Sequence, residues 1–288
     1  MQMPIESMNL MLLNVGYAQQ NADWNWQNVN SPFTRIYYVT EGEALLHLPD
    51  HDVRLRPGYM YTIPAYTVHS YECHGVFAHY YLHIYEGFKN DMNIQEVYEL
   101  PTEIEGTKME VHLLEFLCNR LPDASLPSSN PDSYDTTAQT SGYIQRYLSM
   151  SLWEKMELRG AMLMLVSHFI QQGHPCVWTN DDRTKRVLEY IHTHISESIN
   201  IETLANVGCV TKSYLIKLFK RDFGTSPIQY INKKKVERAQ LLLFTTDKTV
   251  KEIAFLLGFG DQNYFVRLFR KVTDMTPQEY RHSKFLNH

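Results

Sequence analysis

Two hydrophobic periods divide this chain. Between residues 8 and 87, short runs rich in Tyr, Val, Ile and Thr are broken by Asn30-Ser31-Pro32, Glu41-Gly42, Pro49-Asp50, Pro57-Gly58 and Pro64. Closely spaced strands with such turns predict an all-β sandwich or barrel. From Ile201 onward the period becomes helical and one unit is written twice. Leu204-Ala205 corresponds to Ile253-Ala254, Cys209-Val210 to Gly258-Phe259, Leu218-Phe219 to Leu268-Phe269, and Pro227 with Tyr230 to Pro277 with Tyr280. The offset is 49 residues before the turn and 50 after it, so the repeat stays in register but for one added residue.

Each copy predicts two helices joined by a short turn. In the first, a helix near Ile201 to Gly208 gives way at Cys209-Val210, and Thr211 is placed to cap a second helix through Arg221. Leu215, Leu218, Phe219 and Asp222 fall on one side, the first three as an apolar stripe, and Ser213, Ile216, Lys217 and Lys220 on the other. In the second copy Phe265, Leu268, Phe269 and Val272 form the stripe, leaving Asn263, Val266, Arg267 and Arg270 outward. Hydroxyl, amide and basic groups sharing the outer face of a supported helix are what major-groove reading requires. Ser226-Pro227 opens a third helix running to about Leu243, a strut of roughly 25 Å able to hold two readers about one DNA turn apart. Its Lys233, Lys234, Lys235 and Arg238 are expected to meet phosphates.

Residues 183 to 284 resemble the DNA-binding domain of the AraC/XylS family of bacterial transcription regulators, because GFGDQNYFVRLFRKVTDMTPQEYR is close to that family's second helix-turn-helix signature. Cys209 stands where the first turn usually has glycine, and Gly260 where the second reading helix usually has a serine cap. The resemblance implies double-stranded promoter or operator DNA as a partner, and RNA polymerase as a second one, since family members are most often activators. The expected DNA-contacting residues are Lys212, Ser213, Ile216, Lys217 and Lys220 in the first reader, with Ile216 against a thymine methyl. In the second they are Gln262, Asn263, Arg267 and Arg270.

The N-terminal half carries a second resemblance. Gly58-x5-Pro64-x-Tyr66-x2-His69 follows the second motif of cupin barrels, with Tyr66 where glycine is common, and Arg35 to Leu48 resembles the first half of such a barrel. This stretch is similar to the cupin-type sensor domain of many family members. The family's arabinose sensor uses a histidine and a tyrosine at positions matching His69 and Tyr71, and an arginine where this chain has Glu41. Metal-using cupins need a His-x-His pair in the first motif. Glu41 and Glu43 stand there without one, which argues against an enzyme, and no cofactor or metal is expected.

His69, Tyr71 and Cys73 alternate onto one face of a predicted strand, and His79, Tyr81 and His83 onto one face of the next. If the strands pair, a polar, aromatic wall lines the barrel mouth. Three readings stay open: rings filling a small barrel, a metal site, or a pocket for a small polar effector such as a carbohydrate. On the last reading Trp24, Glu41, His69, Tyr71, His79, Tyr81 and His83 bind the effector, with aromatic faces stacking on C–H groups and polar atoms fixing hydroxyls. Trp24 and Trp26 precede the barrel and either cap a ligand or belong to the core.

Charge separates the two halves. Residues 1–180 hold 9 Lys+Arg against 20 Asp+Glu and residues 181–288 hold 18 against 12, so only the C-terminal part has the electrostatic footprint of a nucleic-acid binder. Four cysteines, Cys73, Cys118, Cys176 and Cys209, form no CxxC pair, which fits a reducing cytoplasm rather than a zinc ribbon or disulfide framework. No Lys or Arg precedes the apolar run Met8 to Val15, which reads as a strand rather than a secretory leader. No apolar run reaches membrane-spanning length.

Residues 108–120 predict an amphipathic helix with Met109, Leu113, Phe116 and Leu117 on one side, and 122–135 an exposed loop. Two helices follow, about 137–150 and 152–172, the second carrying Met156, Leu163, Leu165, Val166, Phe169 and Ile170. In related sensors a helix after the barrel makes the dimer, so a homodimer is expected here; the alternative is that the pair packs only under the barrel. The expected organisation is a multidomain chain: a cupin-like all-β barrel over 1–120 with following helices over 121–172, a linker over 173–181, and an all-α tandem helix-turn-helix domain over 182–288. The leading reading is a ligand-responsive transcription regulator. Its rivals are a metal-dependent cupin enzyme fused to a helical module, and a constitutive regulator whose barrel only dimerises.

Overall fold

The computed structural model describes residues 5, 8, 10–86, 94–134, 137–175, 181–246 and 248–282, and the chain divides into two units at residues 176–177. The first unit begins with β1 (Leu10–Gln20), β2 (Trp26–Val29), β3 (Thr34–Gly42), β4 (Ala44–His47), β5 (Asp52–Leu55), β6 (Tyr59–Ile63), β7 (His69–Glu72) and β8 (Phe77–Glu86). After them come α1 (Ile94–Val97), β9 (Tyr98–Glu99), β10 (Glu103–Glu105), α2 (Lys108–Arg120), α3 (Thr137–Ser149), α4 (Leu152–Gln172) and β11 (His174–Pro175). One sheet has the order β1-β8-β3-β6-β10 and the other β2-β7-β4-β5, while β11 pairs with β9.

Strand β8 is buried along nearly its whole length, because side chains alternate between two cores. On one side His79, Tyr81 and His83 enter the space between the sheets, where Tyr37, Leu46, Tyr61, Tyr71 and Phe77 are packed. On the other, Leu82 and Ile84 join Leu114, Leu117, Leu158, Met162, Leu165 and Phe169 of α2 and α4. The His69 and His79 strands do not pair with each other: β7 pairs with β2 and β4, and β8 with β1 and β3. The two faces meet across the interior instead.

Further corrections follow from packing. In α2 the buried side chains are Glu110, Leu114 and Leu117, while Met109 and Phe116 are exposed. In α4 Leu165, Val166 and Phe169 are buried, whereas Met156 stands in solvent with Leu152, Trp153 and Met164. The start of the expected linker, His174–Pro175, is a strand, and its residues 176–180 lie outside the described ones. Tyr66 has φ 60°, the left-handed conformation that explains why glycine is common there.

The second unit comprises α5 (Asp182–Thr193), α6 (Ile201–Val207), α7 (Lys212–Phe223), α8 (Pro227–Thr245), α9 (Val250–Leu256), α10 (Gln262–Thr273) and α11 (Pro277–His282). Local signals set these boundaries. Thr211 caps α7, and Ser226 caps α8 with Gln229 in a capping box and proline at the first turn. Val187, Ile191, Leu204, Leu215 and Phe219 form one core, and Val236, Ala239, Ile253, Phe265 and Phe269 the next. Helix α8 serves both, giving Tyr230 and Ile231 to the first and Val236 and Ala239 to the second.

A corner joins the two halves of this unit. Lys235 is 4% exposed, and its Nζ donates to the Glu197 carbonyl at 2.7 Å while lying over the Phe259 ring. The same corner lies against Gly258: a Cβ there would meet the Glu197 carbonyl carbon at 2.5 Å. Lys235 is therefore a structural residue, not the phosphate contact its sequence position predicted, and Lys234 pairs with Glu237 at 3.0 Å.

Candidate nucleic-acid interface and sensor interior

Each reading helix is anchored from one side and open on the other. In α7, Leu215, Leu218 and Phe219 are buried while Ser213, Lys217 and Lys220 are exposed, with Ile216 half-buried between them. In α10, Phe265 and Phe269 are buried while Gln262, Asn263, Arg267 and Arg270 are exposed. Val272, expected in the buried stripe, is exposed, and Val266 is half-buried. Lys212 pairs with Glu202, so part of its charge is met within the protein. The α10 cap is Asp261, one residue past Gly260, and its carboxylate accepts from the Asn263 and Tyr264 backbone amides. Exposed hydroxyl, amide and cationic groups thus sit in matching places on two helices of one unit, as groove reading requires.

The sensor interior is a stack of rings. Trp24, 5% exposed, lies 4.5 Å from Tyr71 and 5.2 Å from Phe77 between ring centroids, so it belongs to the interior and not to an outer arm. Trp26 is half-buried. His69, Tyr71, His79, Tyr81 and His83 are all buried, and the structure brings them together. His69 Nδ1 lies 2.8 Å from the Thr67 carbonyl and its Nε2 2.9 Å from the Tyr71 hydroxyl, which is 2.7 Å from that of Tyr37.

Burial, with the Arg35 guanidinium as a second cause, pushes His69 down to about 4. Burial alone pushes His79 down to about 3. Burial and then Arg35 hold His83 well below the ordinary range. All three are neutral at pH 7. With Nδ1 donating to Thr67, neutral His69 accepts from Tyr71, and Tyr71 accepts from Tyr37. That chain is closed, whereas His79 Nδ1 and His83 Nδ1 are buried with no hydrogen-bond partner among the described residues.

Glu41 is not in this interior. It has the same strand parity as Arg35, Tyr37 and Val39, but the β3–β8 register shifts between Val39 and Glu41, and the bulge leaves Glu41 exposed. Sequence reasoning missed Arg35, which is fully buried with Nη2 donating to Ser31 Oγ at 2.7 Å. The inward parity it shares with Tyr37 was the signal that could have found it. Among the described residues no three His, Cys, Asp or Glu side chains converge as metal ligands. None of the described helices is long and apolar enough to cross a membrane.

Comparison with known proteins places both units. A family profile described as an AraC-like ligand binding domain matches residues 14–88, and one described as a helix-turn-helix domain matches residues 204–283. The HTH-type transcriptional activator RhaS of Enterobacter sp. (strain 638) is 33% identical over 105 residues, covering 36% of this chain and 38% of that one. An uncharacterised HTH-type transcriptional regulator, YdeC of Bacillus subtilis, is 27% identical over 130 residues, covering 45% and 42%. The match thus spans less than half the length of each of these relatives. Among solved structures, the C-terminal domain of the response regulator AraT from Geobacillus stearothermophilus is 31% identical, covering 35% of this chain and 84% of that one, with a TM-score of 0.34. These relatives are regulators rather than enzymes. With a matched ligand-binding domain ahead of a matched tandem reader, the chain belongs to the AraC/XylS family of bacterial transcription regulators.

Proposed function

We propose that this regulator is a cytoplasmic, homodimeric activator whose barrel binds a small polar effector of the carbohydrate class and whose two readers contact one operator. RNA polymerase is the partner at the promoter. The sensor extends over 1–120, dimerisation uses 121–172, and the DNA-binding domain starts at 182.

The observation that carries the DNA half is the pair of equivalent open faces, Ser213, Lys217 and Lys220 on α7 and Asn263, Arg267 and Arg270 on α10. Arg267 is suited to bidentate contact with guanine, and Asn263 to adenine. The effector half is supported by the buried imidazoles of His79 and His83, whose Nδ1 atoms a ligand hydroxyl can satisfy, beside the faces of Trp24, Tyr71 and Tyr81. Activation is supported by the similarity to RhaS, an HTH-type transcriptional activator.

The test is capture of genomic fragments by the full-length protein, followed by anisotropy titrations across a salt series with and without a panel of monosaccharides. Enrichment of sites with two short motifs about one helical turn apart, and a monosaccharide that changes their affinity, is the expected result. Enrichment with no response to any sugar, and no thermal shift, favours a barrel that only dimerises. No enrichment by the full chain or by residues 181–288 overturns the reading.

A further inference from the structure

The sequence repeat begins earlier than its motifs suggest. Val187 in α5 and Val236 in α8 are both fully buried and are 49 residues apart, the offset that relates the two readers before their turns. Helix α5 therefore stands to α6 and α7 as α8 stands to α9 and α10, and each reader is a three-helix unit.

A side-chain pair recurs within that unit. Tyr214 lies one residue after Ser213 in α7, and Tyr264 one residue after Asn263 in α10. They are 41% and 44% exposed, beside the expected base-reading residues. Arg183 Nη2 donates to the Tyr214 hydroxyl at 3.3 Å, and Asn232 Nδ2 donates to the Tyr264 hydroxyl at 3.2 Å. Arg183 and Asn232 are again 49 residues apart, and each comes from the helix preceding its reader. Two different residue types make the same contact in equivalent places, so the contact tracks a shared task more closely than a shared sequence.

The donor pattern indicates the task. A phenol has one proton and two lone pairs, and here a lone pair of each hydroxyl is taken by a protein donor. Among the described residues neither hydroxyl donates to a protein acceptor, so each keeps its proton for an acceptor outside the chain. At the start of a groove-reading helix the abundant acceptor is a DNA phosphate oxygen, and tyrosine is among the residues that contact it. Arg183 is itself bound by Asp181, Nε to Oδ1 at 2.7 Å and Nη2 to Oδ2 at 2.6 Å. Its charge is thereby met, and its part is to orient the phenol.

We propose that Arg183–Tyr214 and Asn232–Tyr264 are two equivalent phosphate grips, in which each tyrosine hydroxyl, oriented by a donor from the preceding helix, gives its proton to a backbone phosphate oxygen of bound DNA. The assignment rests on the DNA-binding reading. Tyr214 and Tyr264 act on the depth and angle at which each helix enters the groove, and they carry no sequence preference.

The experiment uses the full-length protein and several unrelated duplexes of about 30 base pairs, long enough for two half-sites one turn apart. Anisotropy is read for Tyr214→Phe, Tyr264→Phe and the double variant across a salt series, with thermal midpoints measured alongside. Each single variant is expected to bind about three- to tenfold more weakly on every duplex, with the losses multiplying in the double variant. The salt slope stays at the wild-type value because no charge is removed, whereas Lys220→Ala lowers it by about one.

A double variant that binds like the wild type overturns the proposal, and so does a loss confined to one duplex sequence. Where a phenylalanine variant also unfolds earlier, Asn232→Ala decides: its loss disappears in the Tyr264→Phe background if it acts through the hydroxyl, and adds to it if not. Wild-type protein that holds no duplex at low salt removes the DNA-binding reading, and this assignment with it.

Discussion

Cys209 and Gly258 occupy the same position in the two repeats and share one conformation, φ 52° and 68°, yet Cys209 carries its side chain exposed whereas a Cβ at Gly258 would meet the Glu197 backbone at 2.5 Å. The turn demands a left-handed residue in both copies. In the second it also demands the absence of a side chain. Cys209→Gly is expected to stabilise the second unit by about 1 kcal/mol, the strain a non-glycine residue carries there. Gly258→Ala is expected to cost more than about 2 kcal/mol, because Glu197 and Ser196 must move. Urea unfolding of the two variants checks both signs.

Lys235 predicts a dependence on alkaline pH. Burial pushes its ammonium down to about 8, whereas the unfolded chain holds the proton to about 10.4. Between these values the unfolded state binds more protons, so stability rises with pH, by up to about 3 kcal/mol for this group. The penalty is fully present below pH 8 and gone above the unfolded value. Lys235→Met should remove the rise, so the difference between wild type and variant, followed by denaturant unfolding from pH 7.5 to 10, isolates it.

The barrel histidines predict the opposite end. His69 and His79 are held at about 4 and about 3, below the unfolded value near 6.5. The stability this neutral state represents is intact above pH 6.5 and is lost as pH falls through that window, as the unfolded chain takes up protons first. The near-ultraviolet signal of the first unit should therefore melt at progressively lower temperature between pH 6.5 and 4. His79→Leu should flatten that trend.

Arg267→Ala is expected to cost about 1–3 kcal/mol in operator affinity and to relax preference at one base pair. Competition with single-base operator variants distinguishes this from an equal loss on all sequences, which would make Arg267 a phosphate contact.

Helix α4 carries Leu152 at 75%, Met156 at 65% and Trp153 at 55% exposure, with the Arg120 guanidinium over the Trp153 ring at 4.6 Å. If this exposed surface forms the homodimer, Met156→Glu should yield monomers in sedimentation while leaving the unfolding free energy of the first unit within about 1 kcal/mol of wild type, because an exposed side chain changes little within its own fold. Wild-type monomers at high concentration would refute the dimer itself.

What was legible in the sequence was local. Thr211, Ser226-Pro227 and the spacing of Leu215, Leu218 and Phe219 fix helices through groups within a few residues of one another. The misses were long-range or depended on a single register step. Lys235 looks like its neighbours Lys233 and Lys234 until the Glu197 carbonyl is seen above it. Glu41 is expected at the effector site from its match to the family's arginine, and one bulge leaves it exposed instead. The polar wall was conditional on β7 pairing with β8, yet each pairs elsewhere and the two faces meet across the interior. Asp261 escaped notice because the expected cap position holds glycine.

The corner at Lys235, Glu197 and Gly258 has a consequence for avidity. Once the first reader has engaged DNA, a flexible connection would present the second over a wide volume and leave most of its orientations unproductive. A docked one presents it in a narrow cone at high effective concentration, with the ordering entropy already lost during folding. On the proposed two-reader mode, the same stiffness is expected to exclude half-site spacings that a tether would tolerate, which would make a buried lysine the ruler of the operator.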